Sequence, residues 1–240
     1  MPPNRRRLSG VAAIEGALAK GTPIARLLVR EDDEALADLV ALATERGVEV
    51  VAEPPREMQR MTEGDGIERA IALVGPPPEK TLAAVMTGPG LALHLCRLRY
   101  PGNVGFILRA AEVAGAAGVA LDVEWTEKEH AAARRASIHA ERFLPVVEAE
   151  TARVFQAARA AGRCIVAVET SGEATPWSLD LTRPTLIVVG GEAEGIPELR
   201  LAEADETVRI PTRGFIPSYN VQAATSMLLG EWLRQTEPFA

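Results

Sequence analysis

The sequence is poor in the residues that build metal sites and disulfide frameworks. It has two cysteines and three histidines among 240 residues, and none stands at the spacing of a metal-ligand motif. Cys96 and Cys164 fall in short apolar stretches that we interpret as buried strands, where a free cysteine behaves as a small apolar residue. We therefore expect no metal and no disulfide, and the free thiols favour a reduced setting.

Long apolar runs are missing as well. No stretch approaches the ~18 consecutive apolar residues that a membrane-spanning helix needs. The arginines at positions 5–7 are not followed by the apolar segment of a signal peptide. We therefore expect no membrane association and a cytoplasmic location.

An excess of basic residues is the third feature that the chain lacks. Lysine and arginine number 26 against 33 aspartates and glutamates, which gives a net charge of −7. This balance argues against nucleic-acid binding by bulk electrostatics. Any nucleic-acid site must then be a local patch, and three arginine groups are candidates: residues 5–7, Arg97 with Arg99, and Arg134 with Arg135. The alternative for each group is an ordinary solvated surface.

The first third of the chain has the pattern of a small α/β domain. Apolar spacing predicts three helices and three strands in the order αβαβαβ; the helices are at 9–20, 31–46 and 57–61, and the strands at 24–29, 48–52 and 70–74. Ser9 is the expected cap of the first helix. Three consecutive prolines at 76–78 predict a stiff linker. We therefore place one domain at residues 1–78 and a second at 79–240.

The second domain alternates strands with helices. The predicted strands are 91–96, 118–122, 164–168, 185–189 and 206–210, and the main helices lie near 103–114, 151–161 and 221–235. Such alternation is typical of a mostly parallel sheet with helices on both faces. The expected fold class is therefore α/β.

Two loops follow predicted strands and are rich in glycine and polar residues. The first is GGEAEGIP at 190–197, and the second is PTRGFIPSYN at 211–220. A third polar segment, RYPGNVGFILRAAE at 99–112, follows the strand 91–96. Any one of them could be an ordinary turn, but in open α/β sheets ligands bind at the carboxyl edge, where such loops meet.

Together the three segments resemble the motifs of the SpoU/TrmH group of SPOUT methyltransferases. That group has an asparagine-to-arginine segment, a G-x-E-x-x-G loop and an S-L-N helix start, in the order found here over residues 91–235. The resemblance implies a trefoil-knotted C-terminal domain and a homodimer. Residues 1–75 more weakly resemble the ribosomal-protein-like substrate-binding domain of this group, although Gly64-Asp65-Gly66-Ile67 replaces its usual Q-G-V turn.

The resemblance also implies a reaction and a set of site residues. The methyl donor would be S-adenosylmethionine, and the acceptor a ribose 2′-hydroxyl of tRNA or rRNA. The positions that match the catalytic motifs are Arg109, Asn103, Ser218, Asn220 and Glu192. The positions that match the cofactor-binding motifs are Gly190, Gly191, Gly195, Ile210 and Tyr219, with Thr170 as an addition.

Each of these residues has an expected role. We expect Arg109 to lie nearest the chemistry, with its apolar neighbours leaving it little exposed surface, and Asn103 and Asn220 to hold it and the cofactor loops. Glu192 is expected to brace the loops. The glycines would let loop amides approach the ligand. Ser218 has an alternative role as the cap of the last helix.

Three residues depart from the family pattern. Tyr100 stands where aspartate is usual before P-x-N, His139 where glycine is usual, and Tyr219 where leucine is usual. The hydroxyl of Tyr219 would need a polar partner. In the last helix, Met227, Leu228 and Trp232 offer more apolar surface than one sheet face needs, which favours the homodimer.

Two functions other than methyl transfer are alternatives for this sequence. A dinucleotide-binding oxidoreductase needs G-x-G-x-x-G opening a helix, whereas GGEAEG at 190–195 lacks that spacing and is soon followed by proline. A non-catalytic RNA-binding protein that kept the fold is the second alternative, which Tyr100, His139 and Tyr219 leave open.

Overall fold

The computed structural model describes residues 7–237, so Arg5 and Arg6 of the first arginine group lie outside the described residues. The chain divides into two compact units, one ending at Pro77 and the other beginning at Pro78. The division falls within the triple-proline segment, where the missing backbone N–H groups prevent a helix or strand from continuing. The functional roles of the two units stay a prediction.

The first unit is a four-stranded sheet with three helices. Its strands are β1 (Arg7–Ser9), β2 (Ile24–Arg30), β3 (Glu49–Glu53) and β4 (Ala70–Val74), and its helices are α1 (Val11–Ala19), α2 (Ala37–Glu45) and α3 (Pro55–Met61). The sheet order is β1-β4-β2-β3. Strands β2 and β3 are parallel, whereas β4 is antiparallel to both of its neighbours. The predicted order αβαβαβ thus lacked the first strand.

Two helix starts in this unit were predicted wrongly. Ser9 lies in β1, and α1 begins after Gly10, which has a φ of 90° and no side-chain cap. The helix expected from residue 31 begins with a short 3-10 turn at Glu34–Leu36. The acidic residues ahead of it bond to arginines, since Arg30 Nε donates to Asp32 Oδ1 at 2.9 Å and Arg69 Nη2 to Asp33 Oδ1 at 2.9 Å.

The second unit is a six-stranded sheet with six helices. Its strands are β5 (Ala92–Cys96), β6 (Gly118–Asp122), β7 (Val146–Glu148), β8 (Cys164–Val168), β9 (Thr185–Gly190) and β10 (Glu206–Val208). Its helices are α4 (Leu82–Thr87), α5 (Pro101–Ala114), α6 (Glu127–Ala136), α7 (Thr151–Ala160), α8 (Glu198–Leu201) and α9 (Val221–Thr236). Every strand pair is parallel, so the predicted α/β class is confirmed.

The strand order of this sheet is β10-β8-β9-β5-β6-β7. All five residues of β5 are buried, because helices cover both faces of the sheet. The chain leaves β5 toward β6 on one side, and β9 lies on the other side. Such a reversal of strand order is where α/β sheets bind ligands, outside the carboxyl ends of the strands. The trefoil knot stays a prediction.

Two short strands at the sheet edges differ from expectation. The edge strand β7 was not predicted, and β10 ends at Val208 instead of residue 210. Strand β10 pairs only with β8, whose last residue, Val168, is opposite Val208. Beyond that point the Arg209 N–H donates to the Ala174 carbonyl at 3.0 Å, so the chain leaves the sheet.

A buried arginine fixes the start of the second unit. The guanidinium of Arg163 donates to the carbonyl oxygens of Met86 and Gly88 at 2.6 Å, Gly90 at 2.8 Å and Thr185 at 3.0 Å. Three of these carbonyls, those of Met86, Gly88 and Gly90, lie at the end of α4 or just beyond it, where no further helical turn supplies a donor. Arg163 therefore holds the segment after α4 against the beginning of β9.

The last helix packs inside its own unit more than the sequence suggested. Leu228 and Trp232 are 0% and 7% exposed, and only Met227 of the three residues noted above stays exposed, at 39%. Leu228 and Trp232 therefore give no argument for a dimer. Between residues 7 and 237, no helix combines the length and the apolar character required to cross a bilayer.

Candidate active site

The three predicted motif segments meet through a chain of side-chain hydrogen bonds. The Glu192 carboxylate accepts from the Arg99 N–H at 3.1 Å and from Asn103 Nδ2 at 2.7 Å. The side-chain oxygen of Asn103, Oδ1, in turn accepts from Asn220 Nδ2 at 3.2 Å. Glu192, Asn103 and Asn220 belong to the loop after β9, to α5 and to the start of α9. The network therefore brings all three segments to one edge of the sheet.

The cap of α9 is Asn220. Its side-chain oxygen accepts from the Gln222 N–H at 2.8 Å. Ser218 is exposed and its side chain has no hydrogen bond within residues 7–237, so the alternative that Ser218 caps the helix is wrong. Its hydroxyl is left available at the edge of the sheet.

The glycines of the loop after β9 are required by packing within the protein. A Cβ on Gly190 would lie 2.3 Å from the Gly195 carbonyl carbon, and one on Gly191 would lie 2.5 Å from the Arg97 carbonyl oxygen. Gly195 has a φ of 65°, and its N–H donates to the Gly191 carbonyl at 2.9 Å. The loop thus folds back on itself, which by itself demands glycine. The expected approach to a ligand is not needed to explain these positions.

Glu169 is a site residue that the sequence reasoning missed. Its carboxylate accepts from the Ile196 N–H at 2.6 Å, and Oε1 would lie 2.7 Å from a Cβ on Gly195. Its own N–H donates to the Val208 carbonyl at 2.9 Å. Glu169 thus links the ends of β8 and β10 to the glycine loop. An acidic residue directly after a predicted strand was the available signal. Thr170, the next residue, is exposed.

The segment after β10 is open to solvent. Residues 211–220 are all exposed, and Ile210 before them is half-buried. Tyr219 donates its hydroxyl to the Pro211 carbonyl at 3.3 Å, which supplies the expected polar partner. Among the described residues, the backbone N–H groups of Ile210 and of residues 192–194 have no protein partner. Two neighbouring loops therefore offer free backbone donors.

Arg109 lies on the exposed face of α5. The opposite face is buried through Val104, Ile107 and Leu108, so Arg109 and Phe106 point to solvent and the expectation of little exposed surface was wrong. The side chain of Arg109 has no ion pair or hydrogen bond to any described residue. Asn103 and Asn220 do not bond to it, contrary to the sequence-based expectation. Its guanidinium is free for a ligand.

Two of the unusual residues have a structural consequence. His139 adopts a φ of 55° and follows Ile138, also at 55°. The left-handed conformation at 139 explains why glycine suits this position. Tyr100 precedes α5 and provides no side-chain cap to the described helix, whereas an aspartate there would offer a carboxylate to the backbone N–H groups of the first turn.

A buried polar cluster lies beneath the site. Ligand-type atoms of His94, Cys96 and Asp122 are within 4.8 Å of one another. The Thr151 hydroxyl lies among them, 2.9 Å from His94 Nε2, 3.2 Å from Cys96 Sγ and 2.5 Å from Asp122 Oδ2. Because this hydroxyl already occupies the centre, the cluster is a hydrogen-bonded core network. Burial lowers the pKa of His94 to about 4.

Comparison with known protein sequences finds clear relatives. Residues 90–230 match the model of the SpoU rRNA Methylase family. An uncharacterized tRNA/rRNA methyltransferase of Mycobacterium avium is 32% identical over 228 residues, which cover 91% of this chain and 74% of that protein. The 23S rRNA (guanosine-2′-O-)-methyltransferase RlmB of Pseudomonas syringae pv. tomato is 31% identical, with 95% of both chains covered.

Solved structures are similar over nearly the whole chain. The SpoU methyltransferase AviRb of Streptomyces viridochromogenes, in complex with AdoMet, is 27% identical with a TM-score of 0.62, covering 95% of this chain and 89% of that one. An AdoMet-bound rRNA methyltransferase of Sinorhizobium meliloti is 26% identical with a TM-score of 0.64, covering 96% and 87%.

Proposed function

This chain belongs to the SpoU rRNA methylase family, and from that premise we propose that it transfers a methyl group from S-adenosylmethionine to a ribose 2′-hydroxyl of tRNA or rRNA. The observation that carries the proposal is the network of Glu192, Asn103 and Asn220, which joins the three motif segments at one sheet edge. Two similar structures, AviRb and the Sinorhizobium enzyme, are described with AdoMet bound.

The backbone at this edge fits such a cofactor. Bound S-adenosylmethionine supplies an electrophilic methyl group on a positively charged sulfur. The free N–H groups of Ile210 and of residues 192–194 are suitable donors for the adenine and the methionine carboxylate. Gly190, Gly191 and Gly195 give the loop its shape, and the Tyr219 ring, in the segment after β10, is 43% exposed. No charged ligand set is required.

Two side chains, those of Glu192 and Arg109, have different roles in the proposed reaction. Both oxygens of Glu192 already accept hydrogen bonds, so Glu192 braces the loops and does not act as the base. An arginine in a protein stays charged and offers five donors. Arg109 is exposed and without a protein partner, and it therefore grips a phosphate or the emerging alkoxide. The 2′-hydroxyl proton leaves to phosphate or water.

Two measurements test this function. Calorimetry with S-adenosylmethionine should detect binding, and mapping of 2′-O-methyl sites in tRNA and rRNA from cells with and without the gene should find a site that depends on it. Binding of the cofactor with no such site would contradict ribose methylation. Absence of both signals would favour the alternative, a non-catalytic RNA-binding protein.

The same proposal includes a homodimer in the cytoplasm. The exposed face of α5 carries Phe106, 51% exposed, and Val113, 76% exposed, which lie two helical turns apart on the side that also bears Arg109. A second copy covering this face would place its own residues beside Arg109. Sedimentation should give a mass near twice 25.6 kDa, and Phe106→Glu should lower it. A wild-type mass of one chain at micromolar concentration would contradict the dimer.

A further inference from the structure

An exposed aromatic side chain lies at the middle of the loop that leads into α9. The hydrogen bond from Tyr219 to the Pro211 carbonyl closes residues 211–219 into a loop. Phe215 is the central residue of that loop, and its relative exposure is 104%, while Ile216 is 72% exposed. The loop therefore presents its largest apolar side chains to solvent, which is costly unless a partner covers them.

Four arginines lie in this loop or on the elements around it. Arg97, Arg109, Arg209 and Arg213 are all exposed, and no side chain among the described residues forms an ion pair or hydrogen bond with them. Arg97 and Arg209 come directly after β5 and β10, Arg109 lies on α5 and Arg213 is in the loop itself. The carboxyl edge thus carries uncompensated positive charge in a protein whose net charge is −7.

Several other arginines of this unit form ion pairs, whereas Arg135 and Arg153 are exposed and, like the four above, have no side-chain partner among the described residues. Arg99 pairs with Glu194, Arg159 with Asp205 at 3.2 Å and Arg183 with Glu206 at 2.7 Å. The exposed cations of the loop and its surroundings are therefore available to a negatively charged partner. An isologous contact between two copies of this loop would instead bring like charges together.

We propose that Phe215 stacks on an unpaired base of the RNA and that Arg213 contacts the adjacent phosphate. This inference rests on the function proposed above and adds the form of the substrate, a single-stranded segment. A flat ring with neighbouring cations is the usual means of holding unstacked bases. Ser218 is three positions after Phe215, so their Cα atoms are at most about 10 Å apart. The stacked base therefore belongs to the acceptor nucleotide or to one close to it.

The test measures binding of a fluorescein-labelled 12-nucleotide oligouridylate by fluorescence anisotropy. Phe215→Ala should weaken binding by about tenfold or more, since stacking on one aromatic ring accounts for that much. Phe215→Leu should lose as much, because it keeps an apolar side chain but no π-face. Phe215→Trp should bind within a few fold of wild type, and the emission of its new indole should be quenched by the probe.

Two further variants serve as comparisons. One removes a charge of the loop, and the other removes an exposed aromatic side chain elsewhere on the protein. Arg213→Ala should lower the slope of log affinity against log salt by about 0.7, the value for one phosphate contact on a single strand. Trp177→Ala is the matched control, because Trp177 is an exposed aromatic, 56% exposed, outside the loop. Its affinity for the probe should equal that of wild type.

The result for Phe215→Ala decides the proposal. Wild-type affinity for the probe in that variant would overturn it, and so would a fall in sedimentation mass, which would assign Phe215 to a contact between copies. Calorimetry with S-adenosylmethionine is run on the same samples and should be unchanged. If the wild-type protein fails to bind the cofactor, the proposed function is wrong. The anisotropy measurements would still show whether Phe215 contacts the RNA probe.

Discussion

Single residues at this site take their roles from the partners that the fold gives them. Glu192 resembles a catalytic carboxylate in the sequence, yet the Arg99 N–H and the Asn103 amide occupy both of its oxygens. Arg109 is an exposed residue of α5 whose side chain has no partner among the described residues. We therefore propose that Glu192 braces the loops and that Arg109 contacts the ligand.

Replacement of Arg109 by alanine tests that assignment. We expect turnover to fall by ~100-fold or more, comparable with the loss of one oxyanion donor, while affinity for S-adenosylmethionine stays within a few fold. Single-turnover methylation and calorimetry measure the two quantities. Arg153→Ala, which removes an exposed arginine of α7, is the control and should change neither. Near-normal turnover without Arg109 would remove it from the mechanism.

The variant Arg109→Lys separates two roles for the same side chain. Lysine is the better base at high pH but lacks the planar fork that grips phosphate. We therefore expect activity to stay low at every pH. Recovery of activity by lysine that increases with pH would favour a general-base role instead.

The buried histidine predicts a pH dependence of stability. The pKa of His94 is lowered from 6.5 to about 4 because burial penalises its charged form. As the pH falls from 6.5 toward 4, the unfolded chain binds a proton at this histidine and the folded chain does not, so the free energy of unfolding decreases. The total loss is about 3 kcal/mol at ~1.36 kcal/mol per unit.

Urea unfolding between pH 7 and pH 5 measures this effect. The variant His94→Gln should be less stable at neutral pH, because the ring bonds to Ala120 and Thr151 are changed. Its unfolding free energy should nevertheless fall less than that of wild type over the same interval. Parallel pH curves for the two proteins would show that His94 is not the titrating group.

Among the helices and strands, α5 both carries site residues and packs closely on a neighbouring helix. Its first turn carries Asn103, its exposed face carries Arg109, and its other face packs on α6 at very short range. A Cβ on Gly105 would lie 2.5 Å from the Ala136 Cβ and 2.6 Å from the Ala133 carbonyl oxygen. The close approach of the two helices is thus possible only because residue 105 has no side chain.

Two glycines of α5 form a matched pair of variants. Gly105→Ala should lower the free energy of unfolding by about 1–3 kcal/mol, because the added methyl overpacks the contact with α6. Gly102→Ala, in the same helix with nothing within 4 Å of the added atom, should raise it by about 0.5–1 kcal/mol through better helix propensity. Urea denaturation of both proteins checks the signs. Equal effects would show that helix–helix distance does not depend on Gly105.

At the scale of the whole molecule, the chain divides between Pro77 and Pro78 into two compact units. Each unit has its own sheet and its own buried core. The residues of the candidate site all lie in the second unit, between positions 97 and 220. We propose that the first unit selects the RNA while the second performs the chemistry.

A chain that begins at Glu79 tests this division of labour. It should bind S-adenosylmethionine with unchanged affinity, because every cofactor-binding candidate is retained, and it should lose methylation of the natural RNA. Calorimetry and methyl-transfer assays on RNA from the deletion strain measure the two properties. Methylation of the same nucleotide at the full rate by the shortened chain would show that the first unit does not select the substrate.

The sequence by itself determined the family and the α/β class, and both predictions are confirmed. Strands such as β5 and β9 are short apolar runs whose burial depends on their own composition, and the three motifs are local segments with recognisable order. Short edge strands such as β1 and β7 were missed because they have three residues each and their apolar pattern is too brief to register.

Only the tertiary structure decided which groups meet. Glu169 and Ile196 are 27 residues apart, Asn103 and Glu192 are 89 apart, and Asn103 and Asn220 are 117 apart. The same holds for Gly190, Gly191 and Gly195, where close contacts with the loop itself, with Arg97 and with Glu169 leave no room for a Cβ. Apolar pattern and secondary-structure propensity describe residues that are neighbours along the chain. These hydrogen bonds and close contacts instead join segments far apart in sequence, which the parallel strands bring to one edge of the sheet.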